Sequence, residues 1–279
     1  MSKGIVVLAQ NNDAVDYVQQ ACLLAMSIKV TNPTDKISVI TNDAVPDCYV
    51  ELFDQIIPIP FSDDAENSDW KIENRWKIYH ASPYEKTLVL DTDMLVLQDI
   101  SAWWEFLDRY EIYFTTNVYT YRQDLVHSDF YRKTFTANNL PNLYTGLHYF
   151  KKSNTAKEFY SWVELITQNW ELFYGKFAKE HYPGRPSMDV TAAIAAMILD
   201  CEREITNSKT KIPTFTHMKP QIQNWKTTKT NWQDCVDTYV SSECDIVIGN
   251  HLQTGIFHYT ENNFVTETII NRYRTLLNV

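Results

Sequence analysis

The chain has 279 residues, 44% of them hydrophobic, and 25 Lys and Arg against 35 Asp and Glu give a formal net charge of −10. That length accommodates one large α/β domain or two small ones, while the acidic balance disfavours nucleic acid and anionic membrane surfaces, both of which select basic patches. No apolar run approaches the roughly 20 residues of a bilayer span, no basic segment with a cleavage site precedes the first apolar run, and five cysteines without a Cys-x-x-Cys pair fit reduced thiols, so a cytoplasmic location is expected.

The opening reads as β-α-β-α-β. Ile5 to Ala9 is a buried strand by its continuous apolar run. Ala14, Val15, Val18, Ala21, Cys22, Ala25 and Ile28 fall at helical spacing, with Asn12 or Asp13 as N-cap and Asn32-Pro33 as the stop. Ile37 to Thr41 and Ile56 to Ile59 are the next strands. Such alternation implies a largely parallel sheet with its ligand site beyond the carboxyl ends of the strands. Gly4 and Gly146 are the only glycines before residue 175, so neither a Gly-x-Gly-x-x-Gly turn nor a P-loop exists there to cradle a nucleotide.

Asp63 to Asp69 is an acidic loop, followed by a helix predicted over Trp70 to His80 that carries Arg75 and Lys77. Then comes the most informative stretch, Lys86-Thr87-Leu88-Val89-Leu90-Asp91-Thr92-Asp93-Met94-Leu95-Val96-Leu97. In extended chain residues two apart share a face, so Asp91 and Asp93 project together and Thr92 points away. Two like charges inside an apolar run are costly unless a cation neutralises them. Hard carboxylate oxygens suit Mg²⁺ or Mn²⁺, which complete their shell with water and substrate phosphates.

Further on, Ala102 to Tyr110 reads as a helix and Ile112 to Thr116 as a strand. Residues 117 to 144 are irregular and aromatic, with Tyr119, Tyr121, Tyr131 and Tyr144. Ser153 to Phe173 is a long amphipathic helix, and Ser187-Met188-Asp189-Val190-Thr191 opens an apolar helix through Leu199. Two histidines are candidates to complete a metal site. His258 ends a strand-like run, and His217 precedes Met218-Lys219-Pro220. A lysine beside His217 repels a cation and attracts a phosphate, so His258 is assigned to the metal and Lys219 to a diphosphate, with His217 as the alternative ligand. Phe264 to Leu277 closes the chain as a helix.

The pattern Lys-x-Leu-x-Leu-Asp-x-Asp-x-Leu-x-Leu resembles the metal-binding strand of GT-A fold glycosyltransferases, in particular glycosyltransferase family 8, which includes glycogenin and bacterial lipopolysaccharide galactosyltransferases. The resemblance implies a single GT-A-like α/β domain, Rossmann-like, with a mostly parallel central sheet flanked by helices. Residues 1–101 would form the nucleotide-binding half and residues 102–279 the acceptor-binding half. It implies a metal-dependent transfer, with retention, of a sugar from a nucleotide sugar, UDP-linked, with Mn²⁺ or Mg²⁺ on the diphosphate. Ala9, Asn11, Tyr17, Arg75, Lys77, Thr92 and Gly146 would contact the nucleotide sugar together with Asp91 and Asp93. Asp189 would contact the donor sugar near its reacting carbon. The sequence departs from the family at Thr145, where Asn is usual, and lacks the Gln expected beside Asp189. Near the C-terminus Asn262 and Phe264 stand where a Lys and an aromatic are expected. Two alternatives remain: a sugar-phosphate nucleotidyltransferase, which ordinarily opens with a glycine-rich basic loop, and a non-catalytic carbohydrate- or protein-binding module on the same fold.

Overall fold

The structure, a computed structural model, describes residues 2–69, 71–126, 132–218 and 232–278. In chain order its strands are β1 (Lys3–Leu8), β2 (Ile37–Ile40), β3 (Gln55–Ile57), β4 (Lys86–Leu90), β5 (Met94–Val96), β6 (Ile112–Thr115) and β7 (Tyr119–Thr120). They continue as β8 (Tyr144–Lys151), β9 (Thr216–His217), β10 (Thr238–Val240), β11 (Ile246–Ile248), β12 (His251–Leu252) and β13 (Ile256–His258). The helices include α1 (Tyr17–Thr31), α2 (Ile78–Ala81), α3 (Trp103–Leu107), α4 (Lys133–Asn138) and α5 (Asn154–Gln168). After these come α6 (Trp170–Phe177), α7 (Met188–Ile198), α8 (Glu202–Ile205) and α9 (Glu267–Leu277).

The central sheet has the order β3-β2-β1-β4-β8-β6. β1, β2, β3 and β4 pair parallel, and β8 runs antiparallel to both β4 and β6. The sheet is thus mixed, with β8 as its one reversed strand. Both faces are covered, which is why its strands read as continuous apolar runs. On β1, Ile5 and Val7 enter a core with α1, α3 and α9, whereas Val6 enters a second core with α2, α5 and α7. β4 divides the same way, Leu88 and Leu90 against Val89. α1 is buried on almost every side from Ala21 to Ile28, because it lies between the central sheet, β5 and α9. A second sheet of order β5-β13-β9-β7 and a small meander β10-β11-β12 complete the fold. No helix among the described residues is long and apolar enough to cross a membrane.

Several elements differ locally from the sequence expectation. α1 is capped by Asp16, whose side chain accepts from Gln19 N, and not by Asn12 or Asp13. Asn12 instead accepts from the backbone of Ala14 and Val15, closing a turn before the helix. The helix expected over Trp70 to His80 is a 3₁₀ segment, Ile72–Lys77, continued by α2; Trp70 lies outside the described residues. The long helix from Ser153 is two, broken at Asn169, whose side-chain amide donates back to Leu165 O. Residues 117 to 144 contain β7 and α4, and Tyr131 lies outside the described residues.

Candidate functional site

Asp91, Thr92 and Asp93 occupy the point where the chain leaves one sheet and enters another. Asp91 N still donates to Gly146 O on β8 at 2.9 Å, and Asp93 O already accepts from Tyr259 N beyond β13 at 3.1 Å. Between them the backbone forms a turn and not an extended pleat, yet the two carboxylates converge. Thr92 is directed inward, where its hydroxyl donates to Gln20 Oε1 on α1 at 3.1 Å. Gln20 Nε2 donates in turn to Asn262 Oδ1 at 3.1 Å, which ties the turn to the segment after β13.

His258 closes β13, opposite Met94 on β5 and beside His217 on β9. Its Nε2 lies 3.0 Å from Asp93 Oδ2, and one ligand atom from each of Asp91, Asp93 and His258 falls within 4.8 Å of the others. A single cation can bridge such a group. His217 is adjacent, with its ring centroid 5.0 Å from that of His258, but it stands outside this triplet.

Each carboxylate of the site has its own partner. Arg75 forms an ion pair with Asp91 through Nη2 and Oδ1, and His258 pairs with Asp93. Asp189, in the first turn of α7, receives Arg132 on Oδ2, while Oδ1 accepts from Thr145 N at 2.8 Å and Thr145 Oγ1 at 2.6 Å. Burial pushes the Asp93 and Asp189 carboxyls up. His258 outweighs that for Asp93, and Arg132 with the Thr145 donors outweighs it for Asp189, so both end below the ordinary range. Burial disfavours the Arg75 charge, but Asp91 beside it raises the guanidinium above its usual value.

Gly146 makes room for this arrangement. A Cβ there would lie 2.9 Å from Asp91 Oδ2 and 3.1 Å from Met94 Cε. Beside the triplet opens a cleft of about 330 Å³, bordered by Asp91, Gly146, Tyr144, Asp189, His217 and His258.

No protein-family model matches the chain, and no curated protein does. Solved structures do. Mouse xyloside xylosyltransferase 1 superposes with a TM-score of 0.54 at 10% identity, over 95% of this chain and 100% of that one. The galactosyltransferase LgtC, solved with donor and acceptor sugar analogues, superposes with a TM-score of 0.52 at 12% identity, over 99% and 95% respectively. The fold is GT-A-like.

Within this GT-A-like frame, the residues singled out from the sequence separate into two groups. Asp91, Asp93, Arg75, Gly146, Asp189, His258 and Tyr17 gather at the junction. Tyr17 is half-buried, and its phenol is pushed up first by burial and then by Asp93, with Arg75 opposing. The others turn elsewhere. Ala9 is fully buried, and its N–H extends the β1–β2 ladder to Ile40 O. Asn11 holds the loop before α1: its N–H donates to Asp43 and its Oδ1 accepts from Val18 N at 3.0 Å. Lys77 has no exposed side-chain surface; it pairs with Asp64 at 2.9 Å and donates to Asn74 Oδ1 and Ser62 O. The side chains of Lys77 and Thr92 are thus buried with their hydrogen bonds satisfied, and neither residue borders the cleft beside Asp91. Lys219 lies outside the described residues.

Arg132 was missed by the sequence reading. Its guanidinium is held between the rings of Phe135 and Tyr144, 3.5 and 4.1 Å from their centroids, and also donates to Asn142 Oδ1 and Leu143 O. The one available signal was an arginine within an aromatic segment, a setting that suits a stacked, planar cation.

Proposed function

We propose that this protein is a metal-assisted glycosyltransferase that moves a sugar from a UDP-linked donor to an acceptor. One observation carries the reading: Asp91, Asp93 and His258 bring ligand atoms within 4.8 Å of one another, beside a cleft that also presents Asp189. Two carboxylates and an imidazole are a donor set that Mn²⁺ or Mg²⁺ accepts while keeping positions for a diphosphate. When bound, such an ion neutralises charge on the departing diphosphate.

The chain's own residues do the rest. Arg75 fixes the orientation of Asp91, and Gly146 lets that carboxylate lie close to β8. Asp189 faces the same cleft with both oxygens held by Arg132 and Thr145. A carboxylate oriented in this way, with its charge shared with Arg132, is placed to meet the donor sugar near the carbon whose bond to the diphosphate breaks. Tyr17 offers its ring to the nucleotide from the start of α1. The comparisons support the fold on which this chemistry is built, and the side-chain geometry supports the reaction.

Calorimetry of UDP with Mn²⁺, against UDP with a chelator, tests the reading. Binding is expected to require the ion and to be lost in Asp93→Asn, after which a screen of UDP-sugars for metal-dependent donor hydrolysis identifies the sugar. UDP affinity that is indifferent to chelation would refute the proposal. Pyrophosphate release from a nucleoside triphosphate and a sugar phosphate would replace it with nucleotidyl transfer.

A further inference from the structure

Arg75 and Trp76 are successive residues on a 3₁₀ segment, where each residue turns by about 120°. Arg75 serves Asp91, whereas Trp76 borders a different cleft of about 290 Å³ on the outside of the same segment. This cleft is bordered by Phe61, Asp64, Trp76, His80, Glu164 and Gln168, and shares no lining residue with the one beside Asp91. Phe61 is 70% exposed, an unusual position for a phenylalanine, and its backbone sits in the left-handed region at φ 64°. Its ring stacks on Trp76 with centroids 5.9 Å apart and planes 12° from parallel. His80 meets both rings edge-on at 5.5 and 5.6 Å, completing an aromatic platform.

Polar groups rim the platform. Glu164 and Gln168 stand one turn apart on α5, with Gln168 Nε2 3.4 Å from Glu164 Oε1. Asp64 is engaged by Lys77 and by Ser62. The Trp76 indole N–H is buried and has no hydrogen-bond partner among the described residues.

We propose that this cleft is a second binding site, for an uncharged saccharide. The C–H face of a pyranose is apolar and packs on a flat aromatic surface, while its hydroxyls pair with carboxylate and amide groups at the edge. Lys77 offsets the charge of Asp64, which leaves Glu164 as the carboxylate of the lining without a cation bound to it among the described residues. Lys152 and Lys157 act on His80 from outside the lining, so the cleft offers no built anion site and a neutral glycan suits it better than a phosphate, a nucleotide or an acidic sugar. The volume falls just below the roughly 300–1,000 Å³ range of small-molecule sites, so the cleft holds a short stretch of a glycan whose remainder lies in solvent. The inference is independent of the transfer reaction.

The test uses the full chain labelled with ¹⁵N, without nucleotide or metal, titrated with maltopentaose, cellopentaose and xylopentaose. The Trp76 indole signal, assigned through Trp76→Phe, is expected to shift saturably with at least one of these. Phe61→Ala, which removes an exposed ring and leaves the core intact, is expected to weaken that binding about tenfold or more, and Gln168→Ala to weaken it less. Asp93→Asn is expected to leave it unchanged, and an oligogalacturonate of equal length to bind at least about tenfold more weakly. Absence of any shift, full affinity in Phe61→Ala, or loss of binding in Asp93→Asn would each overturn the proposal.

Discussion

Replacing Gly146 with alanine places a Cβ 2.9 Å from Asp91 Oδ2, where ordinary contact begins at 3.4 Å. The carboxylate or β8 must give by about 0.5 Å. Asp91 cannot yield freely, because Oδ1 is paired with Arg75 and its backbone N–H is bonded to Gly146 O. Overpacking of this kind costs about 1–3 kcal/mol of stability, which a folded domain of this size survives. A metal site is less tolerant, since ligand distances hold to about 0.2 Å. Mn²⁺ affinity measured in the presence of UDP is therefore expected to fall about 10–100-fold in Gly146→Ala, with the chain still folded. Gly175→Ala is the control. Gly175 lies in α6 with nothing within 4 Å of its added Cβ, so that change should leave Mn²⁺ binding intact and add up to about 1 kcal/mol of stability. Wild-type Mn²⁺ affinity in Gly146→Ala would refute the argument that Asp91 needs this glycine.

Asp189→Asn is expected to lower sugar turnover about 10²-fold while UDP–Mn²⁺ affinity changes little, since its proposed contact is to the sugar; normal turnover would reduce Asp189 to an anchor for Arg132. Arg132→Lys keeps the charge but loses the fork to Asn142, Leu143 and Asp189 and the stacking between Phe135 and Tyr144. It is expected to cost on the order of 3 kcal/mol in urea unfolding, and a loss within experimental error would show the pairing to be incidental. His148 is buried, with Nδ1 donating to Thr145 O at 2.7 Å and Nε2 at 2.8 Å from the Tyr160 hydroxyl, which can donate to it when the ring is neutral. Burial pushes its pKa down from 6.5 to about 4, so the unfolded chain takes up the proton first as the pH falls. Its contribution is complete above pH 6.5 and is lost towards pH 4, on the order of 3 kcal/mol in all. Melting temperature against pH should flatten across that window in His148→Asn, and an unchanged slope would locate the titration elsewhere.

The central sheet was legible because its strands are buried on both faces and so appear as uninterrupted apolar runs. Asp91 and Asp93 were legible for the opposite reason, as charges in a run where packing alone gives no cause for them. His258 could be connected with them through its position at the end of a strand. Other features depend on partners that no local pattern specifies. Lys77 resembles Arg75 in sequence, yet one is enclosed by Ser62, Asp64 and Asn74 and the other reaches Asp91. Arg132 gains its role from Asp189, 57 residues away. The break at Asn169 and the shift of the α1 cap to Asp16 follow from side chains that bond their own backbone, a competition that apolar spacing does not record.

The crossing from β4 to β5 has a consequence for how the molecule assembles. Asp91 belongs to the end of the central sheet, and Asp93 and His258 to the β5–β13 pair of the smaller one. The smaller sheet is completed only when β13, near the end of the chain, pairs with β5. A cation held by these three residues therefore binds only chains in which the two sheets have already joined. By linkage it stabilises that joined state by RT ln(1 + M/Kd), where M is the concentration of free metal, which would set how small a fraction of chains has the last strands detached.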